Sequence, residues 1–384
     1  MQRTIFAPEH DEFRKVVADF FSKELAPCQD AFIEAGHVSR DFALKMGELG
    51  LLGIQVPEEY GGGGSEDTFL YNVIVNEEAI RAGGGTGALG THTNIVLPYI
   101  VKYGTEQQKR DWLPGMASGE ILTSIAMTEP GTGSDLAGIT TTAVRDGDEF
   151  ILNGAKTFIT GGILADLVLV VARTTPYDPN NRRAGLSLLA VDVNLPGFSK
   201  GKNLNKMGIR AQDTAELFFD DVRVPVSSLL GEEGKAFEYL GHNLPQERLV
   251  IAIGAVTGAR YALELAKEYA NERKVFGKGL KEFQNTKFVL AECSTEVEAA
   301  QMMLDAAIAM HEKQELSPAD AARVKLFTTE MQARVVDKCL QIHGGYGYIM
   351  EYPIARLYTD ARVSRIYGGT SEVMKTIIAK DIGL

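Results

Sequence analysis

Cysteine is scarce in this chain: there are three in 384 residues, Cys28, Cys293 and Cys339, with no CxxC pair. That scarcity excludes a disulfide-stapled scaffold and suits a reducing compartment, so the bacterial cytoplasm is the expected location. Positive charge is also in short supply. Lysine and arginine total 39 against 51 acidic residues, a formal charge of −12. This argues against nucleic acid or an anionic membrane surface as the general partner, and any phosphate must be met by local basic groups. No apolar run reaches the roughly 20 residues of a membrane span, so none is expected. The first residues, MQRTIFAPEHDEF, lack the apolar stretch of a secretory signal and carry acids foreign to a basic targeting peptide. The six histidines are scattered, none at ligand spacing to a cysteine or aspartate, so no metal site is expected. A GxSxG nucleophile motif is absent too.

What is present is a chain with 45% apolar residues and a mean hydropathy near zero, long enough for two or three domains. Helical spacing runs from Pro8 to Ala26, with Phe13, Val16, Val17 and Phe20 on one face and Pro27 as the stop. Ser39 caps a second helix, a third runs from about Asp67 to Arg81, and Thr105 with Gln108 forms a capping box that opens another. From 120 to about 230 the sequence turns strand-like, with ADLVLVVART, GLSLLAVDV and AELFFDDVRV between Pro and Gly turns. Beyond Gly234 it is helical again, including a helix opened by Ser317 and Pro318 and closed by Gly344. The expected domains are 1–120 (α), 121–231 (β) and 232–384 (α). Gly85, Gly87 and Gly90 spell GxGxxG, but the preceding NEEAIRAG reads as helix, so they are assigned to a loop and not to a dinucleotide fold.

The stretch from Thr123 to Gly162 carries the strongest chemical signal. Thr128, Glu129 and Pro130 lead into Gly131, Thr132, Gly133, Ser134 and Asp135, a loop whose N–H groups and hydroxyls suit an anion. A two-residue turn at Asp146 and Gly147 returns the chain beside that loop, and alternation puts Phe158 and Thr160 on one face. A surface hairpin with a Gly-rich turn would show the same spacing. In NLPQERLVIA, Glu247 and Arg248 adjoin an apolar run, where burial would raise the carboxyl toward a general base's working range; a solvated Glu–Arg pair on a helix face is the alternative. RKVFGK (Arg273, Phe276) puts basic groups beside a ring and suits a pyrophosphate, or is a solvated helix end before Gln284. QIHGGYG (Gln341, Gly345) is a Gly-rich turn or a simple C-cap.

MTEPGTGSD, NGAKTFITGG, ERKVFGK, QIHGGYGY and RIYGGTSEVMK together resemble the acyl-CoA dehydrogenase family over essentially the whole chain. The resemblance implies a mostly α fold: an N-terminal helical domain, a middle β-barrel-like domain and a C-terminal four-helix bundle. It implies FAD as cofactor, with Met127 and Thr128 at the flavin pyrimidine edge, Thr160 by the reactive nitrogen, Phe158 on the ring, and Gly133 and Ser134 at the pyrophosphate. Arg273, Phe276, Gln284, Gln341 and Gly345 resemble residues lent by a neighbouring subunit to the ADP half, and Thr370 and Glu372 match contacts near the adenosine. A homotetramer, two dimers paired, follows from that.

One departure matters. Many members carry their catalytic glutamate where this chain has Gly368; long-chain and isovaleryl types place the base earlier, where Glu247 stands, and the motifs look more like the long-chain type. The resemblance then implies that Glu247 removes an α-proton of a medium- to long-chain acyl-CoA while a β-hydride passes to the flavin, giving the trans-2-enoyl thioester. The Gly368 N–H and a flavin hydroxyl would stabilise the thioester oxygen. Ser134, Arg248, Tyr367 and Gly368 would contact substrate, and an electron-transfer flavoprotein would accept the electrons. A branched-chain dehydrogenase, an oxidase or monooxygenase on the same scaffold, and a non-catalytic thioester-binding subunit are the competing readings.

Overall fold

Helices flank a central sheet, and local sequence accounts for most of the boundaries. The computed structural model describes residues 1–64 and 68–384. The N-terminal part comprises α1 (Pro8–Glu24), α2 (Gln29–Ala35), α3 (Arg40–Glu48) and α4 (Thr68–Arg81). A composite helix follows, made of α5 (Leu89–Thr91), a π turn (His92–Val96) and α6 (Leu97–Tyr103), and then α7 (Glu106–Ser118). Ser39 caps α3 by accepting from the Phe42 N–H, and Thr105 and Gln108 form the capping box of α7. The first helix is shorter than periodicity predicts, because Pro27 lies in a 3-10 turn that feeds α2, a helix with no clear pattern of its own. Its buried face also differs: Val17 and Phe21 are fully buried, whereas Val16 is 49% exposed. The start expected for α4 near Asp67 falls outside the described residues. Gly85 and Gly87 of the GxGxxG stretch lie in a loop preceded by helix α4, at φ of 118° and 60°, whereas Gly90 falls inside the short helix α5 and not in the loop the sequence predicts.

The middle part is one sheet built from β1 (Thr123–Ala126), β2 (Thr142–Asp146), β3 (Glu149–Thr160), β4 (Leu167–Arg173), β5 (Leu186–Asp192), β6 (Phe198–Lys200), β7 (Thr214–Pro225) and β8 (Leu229–Leu230). The strand order is β6-β7-β3-β2-β4-β5-β8, with β1 added parallel to β4. β4 is buried on both faces, which is why it reads as an unbroken apolar run. Its Leu167, Leu169 and Val171 join Leu97, Ile100 and Leu113 of the helices, while Val168, Val170 and Ala172 join Phe150, Leu217 and Val222 of the sheet. The β2–β3 turn forms one residue later than expected. Asp146 pairs with Glu149, so Gly147, at φ 62°, and Asp148 make the loop; the positive φ at the first loop position favours glycine.

The C-terminal part holds α8 (Ala236–Glu272), the short hairpin β9 (Lys274–Val275) and β10 (Lys278–Gly279), then α9 (Gln284–Glu312), α10 (Pro318–His343), α11 (Pro353–Ala361) and α12 (Ser371–Asp381). α8, α9 and α10 share an apolar cluster that includes Val256, Val297, Leu304, Met331 and Val335. Within α8 an 18-residue stretch has a mean hydropathy of 1.5, long and apolar enough to cross a membrane by length and composition alone. More than half of that stretch is buried inside the chain, so α8 serves as the bundle's core helix. Counting unbroken apolar runs overlooks it because Gly254, Thr257 and Gly258 interrupt the run.

Candidate active site

The loop after β1 is held from beneath by a buried ion pair. Lys156, on β3, is fully buried; its ammonium donates to the Met127 carbonyl at 3.0 Å and to Glu129 Oε1 at 2.9 Å. Glu129 also accepts from the N–H groups of Thr140 and Thr141. Burial alone would push the Glu129 carboxyl up, but the Lys156 charge and these hydrogen bonds carry it down to about 2. Burial lowers Lys156 to about 8 even against the Glu129 charge, so the pair is ionised at neutral pH. Inside the loop the Thr132 hydroxyl donates to the Gly138 carbonyl at 3.1 Å. It closes the loop on itself and is not a free donor, contrary to the sequence reading of Thr132. Ser134 is exposed, and a side chain built at Gly131 or Gly133 would meet nothing within 4 Å. The outer side of the loop is open.

Phe158 and Thr160 lie on either side of buried Ile159, as alternation predicts, and a bulge just before them sets the exposure of Phe158. The β3–β7 register shifts between Lys156 and Ile159, and the Thr157 N–H turns away to the Thr128 carbonyl at 2.9 Å. Phe158 is left at φ 58° with its ring 68% exposed, an uncommon conformation for a bulky residue and a mark of functional constraint. Thr160 Oγ1 accepts from Gln212 Nε2 at 3.3 Å, and its own proton has no acceptor among the described residues. A flat, displayed ring beside a spare hydroxyl and an open loop is a fitting cradle for a planar cofactor with a phosphate tail.

Near its N-terminal end, α8 presents Glu247 toward α6. Its side chain is 6% exposed, and Tyr99 Oη and Asn243 Nδ2 both approach the same oxygen, Oε1, at 3.3 and 3.5 Å. Oε2 has no hydrogen bond among the described residues. Burial raises the carboxyl to about 7, offset in part by those two donors and by the Arg248 charge. The segment facing it is the π turn. There Asn243 donates to the Ile95 carbonyl and Gln246 to the Asn94 carbonyl, at 3.4 and 3.0 Å, so α8 clasps the carbonyls of a strained turn. Sequence reasoning missed Tyr99 and Asn243. Tyr99 lies 148 positions from its partner, and no local pattern announces that contact.

Arg248 is 5% exposed and reaches the Gly368 carbonyl through Nε at 3.4 Å. Gly368 and Gly369 both sit at positive φ, 63° and 99°; a Cβ at Gly368 would meet Ile251 Cδ1 at 2.3 Å. Tyr367 is 40% exposed, and desolvation, with the Asp360 charge nearby, pushes its hydroxyl up to about 12. Thr370 caps α12 through the Val373 N–H at 3.3 Å, and Glu372 is exposed in the first turn.

The remaining candidates cluster at the far end of α8. RKVFGK is a two-residue β-hairpin and not a helix end: Val275 pairs with Lys278, and Phe276 and Gly277 both take positive φ, 51° and 77°. Phe276 is 95% exposed at its tip. Arg273 and Gly345 line a common groove of about 460 Å³ with Tyr269, His343 and Tyr346, and Gln284 and Gln341 are exposed.

Three family models match in the order of the three parts: acyl-CoA dehydrogenase N-terminal domain over residues 7–120, middle domain over 124–222 and C-terminal domain over 234–383. The chain belongs to the acyl-CoA dehydrogenase family. It is 46% identical over 380 residues to the long-chain specific acyl-CoA dehydrogenase of Rattus norvegicus mitochondria, covering 99% of this chain and 88% of that one. The crystal structure of an acyl-CoA dehydrogenase from Geobacillus kaustophilus superposes with a TM-score of 0.97 at 47% identity, covering 100% of both chains. A glutaryl-CoA dehydrogenase from Mycobacterium smegmatis, solved in complex with FADH2, matches at a TM-score of 0.90 and 28% identity over 99% of this chain and 95% of that one. This acyl-CoA dehydrogenase is therefore an FAD-dependent oxidoreductase. The displayed Phe158 ring, the spare Thr160 hydroxyl and the open Gly131–Ser134 loop fit that cofactor.

Proposed function

We propose that this acyl-CoA dehydrogenase converts a medium- to long-chain acyl-CoA into its trans-2-enoyl-CoA, with Glu247 as the base that takes the α-proton. The observation that carries the reading is the state of Glu247. It is a buried carboxyl raised to about 7, with Oε1 tethered and Oε2 free, so it holds a proton acceptor near neutral pH and presents one oxygen to a substrate. The position used for the base by many relatives holds Gly368, where the positive φ and the nearness of Ile251 would strain any larger residue, so it offers a backbone N–H and no carboxylate. That N–H would donate to the thioester oxygen as negative charge develops on it. Bound FAD supplies the hydride acceptor. Phe158, Thr160, Met127, Thr128, Gly133 and Ser134 would hold and orient it, and the Lys156–Glu129 pair fixes the loop they stand on.

The long-chain assignment is supported by the Rattus norvegicus relative, whose name specifies long-chain substrates. Electrons would leave to an electron-transfer flavoprotein. The groove beside Arg273 and Gly345, the exposed Phe276, and Gln284 and Gln341 would serve the ADP half of a flavin held mainly by a second copy, with Thr370 and Glu372 near its adenosine. That arrangement requires at least a dimer and accords with a homotetramer. The proposed domains are 1–120, 121–231 and 232–384.

The test is anaerobic flavin reduction by a series of straight-chain acyl-CoAs. Wild-type protein should bleach, fastest with medium to long chains, and the rate should rise with pH through about 7 as Glu247 ionises. Glu247→Gln should keep its FAD and lose at least about two orders of magnitude in rate, the usual effect of a lost general base. Near wild-type bleaching in that variant would remove Glu247 from the role.

A further inference from the structure

The turn at Gly368 and Gly369 is gripped from behind by two buried cations. Arg248 of α8 donates to the Gly368 carbonyl at 3.4 Å, and Lys325 of α10 donates to the Gly369 carbonyl at 2.8 Å. Lys325 is fully buried, yet it has no ion pair among the described residues. An unneutralised ammonium away from water is costly, and an uncharged side chain would pack there more easily. One candidate counter-ion, Glu330 on the same helix, is already engaged by Arg365 at 2.8 Å and by the Ser371 hydroxyl at 2.6 Å. The charged groups facing Lys325 are Arg248 from α8, Glu330 from α10, Arg365 from the segment before the turn and Glu372 from α12. Two positive charges thus lie on successive carbonyls of one turn. The N–H of Gly368, the first residue of that turn, makes no hydrogen bond among the described residues.

We propose that Lys325 is a positioning residue for this N–H. By fixing the Gly369 carbonyl while Arg248 holds that of Gly368, it sets the orientation of the double-glycine turn and leaves net positive charge behind the developing oxyanion. The inference rests on reading the Gly368 N–H as the donor to the thioester oxygen. Its physical basis is electrostatic preorganisation: the charge is in place before the reaction and need not reorganise during it. Lys325 touches neither substrate nor reacting atoms; it acts through the backbone.

The experiment uses the FAD-loaded protein and two readouts. One is the maximal rate of anaerobic bleaching by saturating straight-chain acyl-CoA. The other is the red shift of a bound trans-2-enoyl-CoA chromophore, which reports how strongly its carbonyl is polarised. Lys325→Met should lower the maximal rate about ten- to a hundredfold, leave half-saturation within about threefold, retain FAD, and lose most of the red shift. The wild-type shift should itself fade as pH rises through about 8, where burial and the Arg248 charge bring Lys325 to lose its proton. That titration tests the proposal even if Lys325→Met does not fold. Lys156 also titrates near 8, so a fading that persists in Lys325→Met belongs to Lys156 and counts against the proposal. A wild-type rate or an undiminished shift in Lys325→Met overturns the role of Lys325 alone. No shift even in wild-type protein removes the Gly368 donor and the Lys325 inference with it. Glu247→Gln should lose rate and keep the shift, which separates the base from the oxyanion site.

Discussion

Burial of Glu247 carries a stability cost that pH exposes. Its carboxyl is raised from 4.5 to about 7 in the folded chain, so the folded state binds that proton more tightly than the unfolded state does. Stability contributed by the neutral form is therefore present below about 4.5 and is lost as pH rises toward 7. The loss amounts to about 3 kcal/mol at pH 8. Glu247→Gln should unfold at nearly the wild-type temperature at pH 5 and a few degrees above it at pH 8. An equal offset at both values would show that burial of Glu247 is not felt as charge. The same residue shows what a sequence can and cannot disclose. Its apolar flank makes a raised pKa readable in advance, whereas Tyr99 and Lys325 meet their partners across elements, with no signal in their own neighbourhoods; Asn243, four residues before Glu247 on the same helix, makes a contact that i,i+4 spacing does disclose. Thr132 is the opposite case: hydroxyl chemistry in a Gly-rich loop suggested an outward donor, and the fold spends it on the Gly138 carbonyl.

At the scale of elements, the π turn is the joint between helices and sheet. His92, at its start, is buried; its Nε2 donates to the Met116 carbonyl of α7 at 3.0 Å. Its Nδ1 accepts from the Thr123 N–H of β1 at 3.1 Å. Burial lowers this imidazole to about 4, so the folded state refuses a proton that the unfolded chain takes up near 6.5. Stability is then present above about 6.5 and declines as pH falls toward 4. His92→Asn should cost about 1–3 kcal/mol at pH 7.5, and its deficit against wild type should shrink at pH 4.5. Denaturant unfolding at the two pH values checks this; a constant deficit would mean that the ring is not the titrating group. Capped helices such as α3, α7 and α10, and the unbroken apolar β4, were legible because cap chemistry and two-sided burial leave local patterns. The π turn, the Phe158 bulge and the Phe276 hairpin were not. Each places residues in conformations that isolated propensity disfavours and only packing enforces.

For the whole molecule, α8 is the feature that joins buried Glu247 to the exposed Phe276 hairpin. Glu247 stands in its first third, and the helix ends beside the Phe276 hairpin, about 38 Å further on at about 1.5 Å per residue. If that hairpin serves a second copy, every chain is at once the owner of one centre and a component of another. Two damaged chains then become complementary. A Glu247→Gln chain still lends a sound Arg273, and an Arg273→Ala chain still owns a sound Glu247. Neither variant alone should turn over at full rate. Unfolded together and refolded as a mixture, they should form hybrids in which one centre is doubly broken and the other is whole. Activity that reappears on co-assembly, and not on simple mixing of the folded variants, would be intragenic complementation written into a single helix; a mixture no better than its parents would mean that each chain keeps its centre to itself.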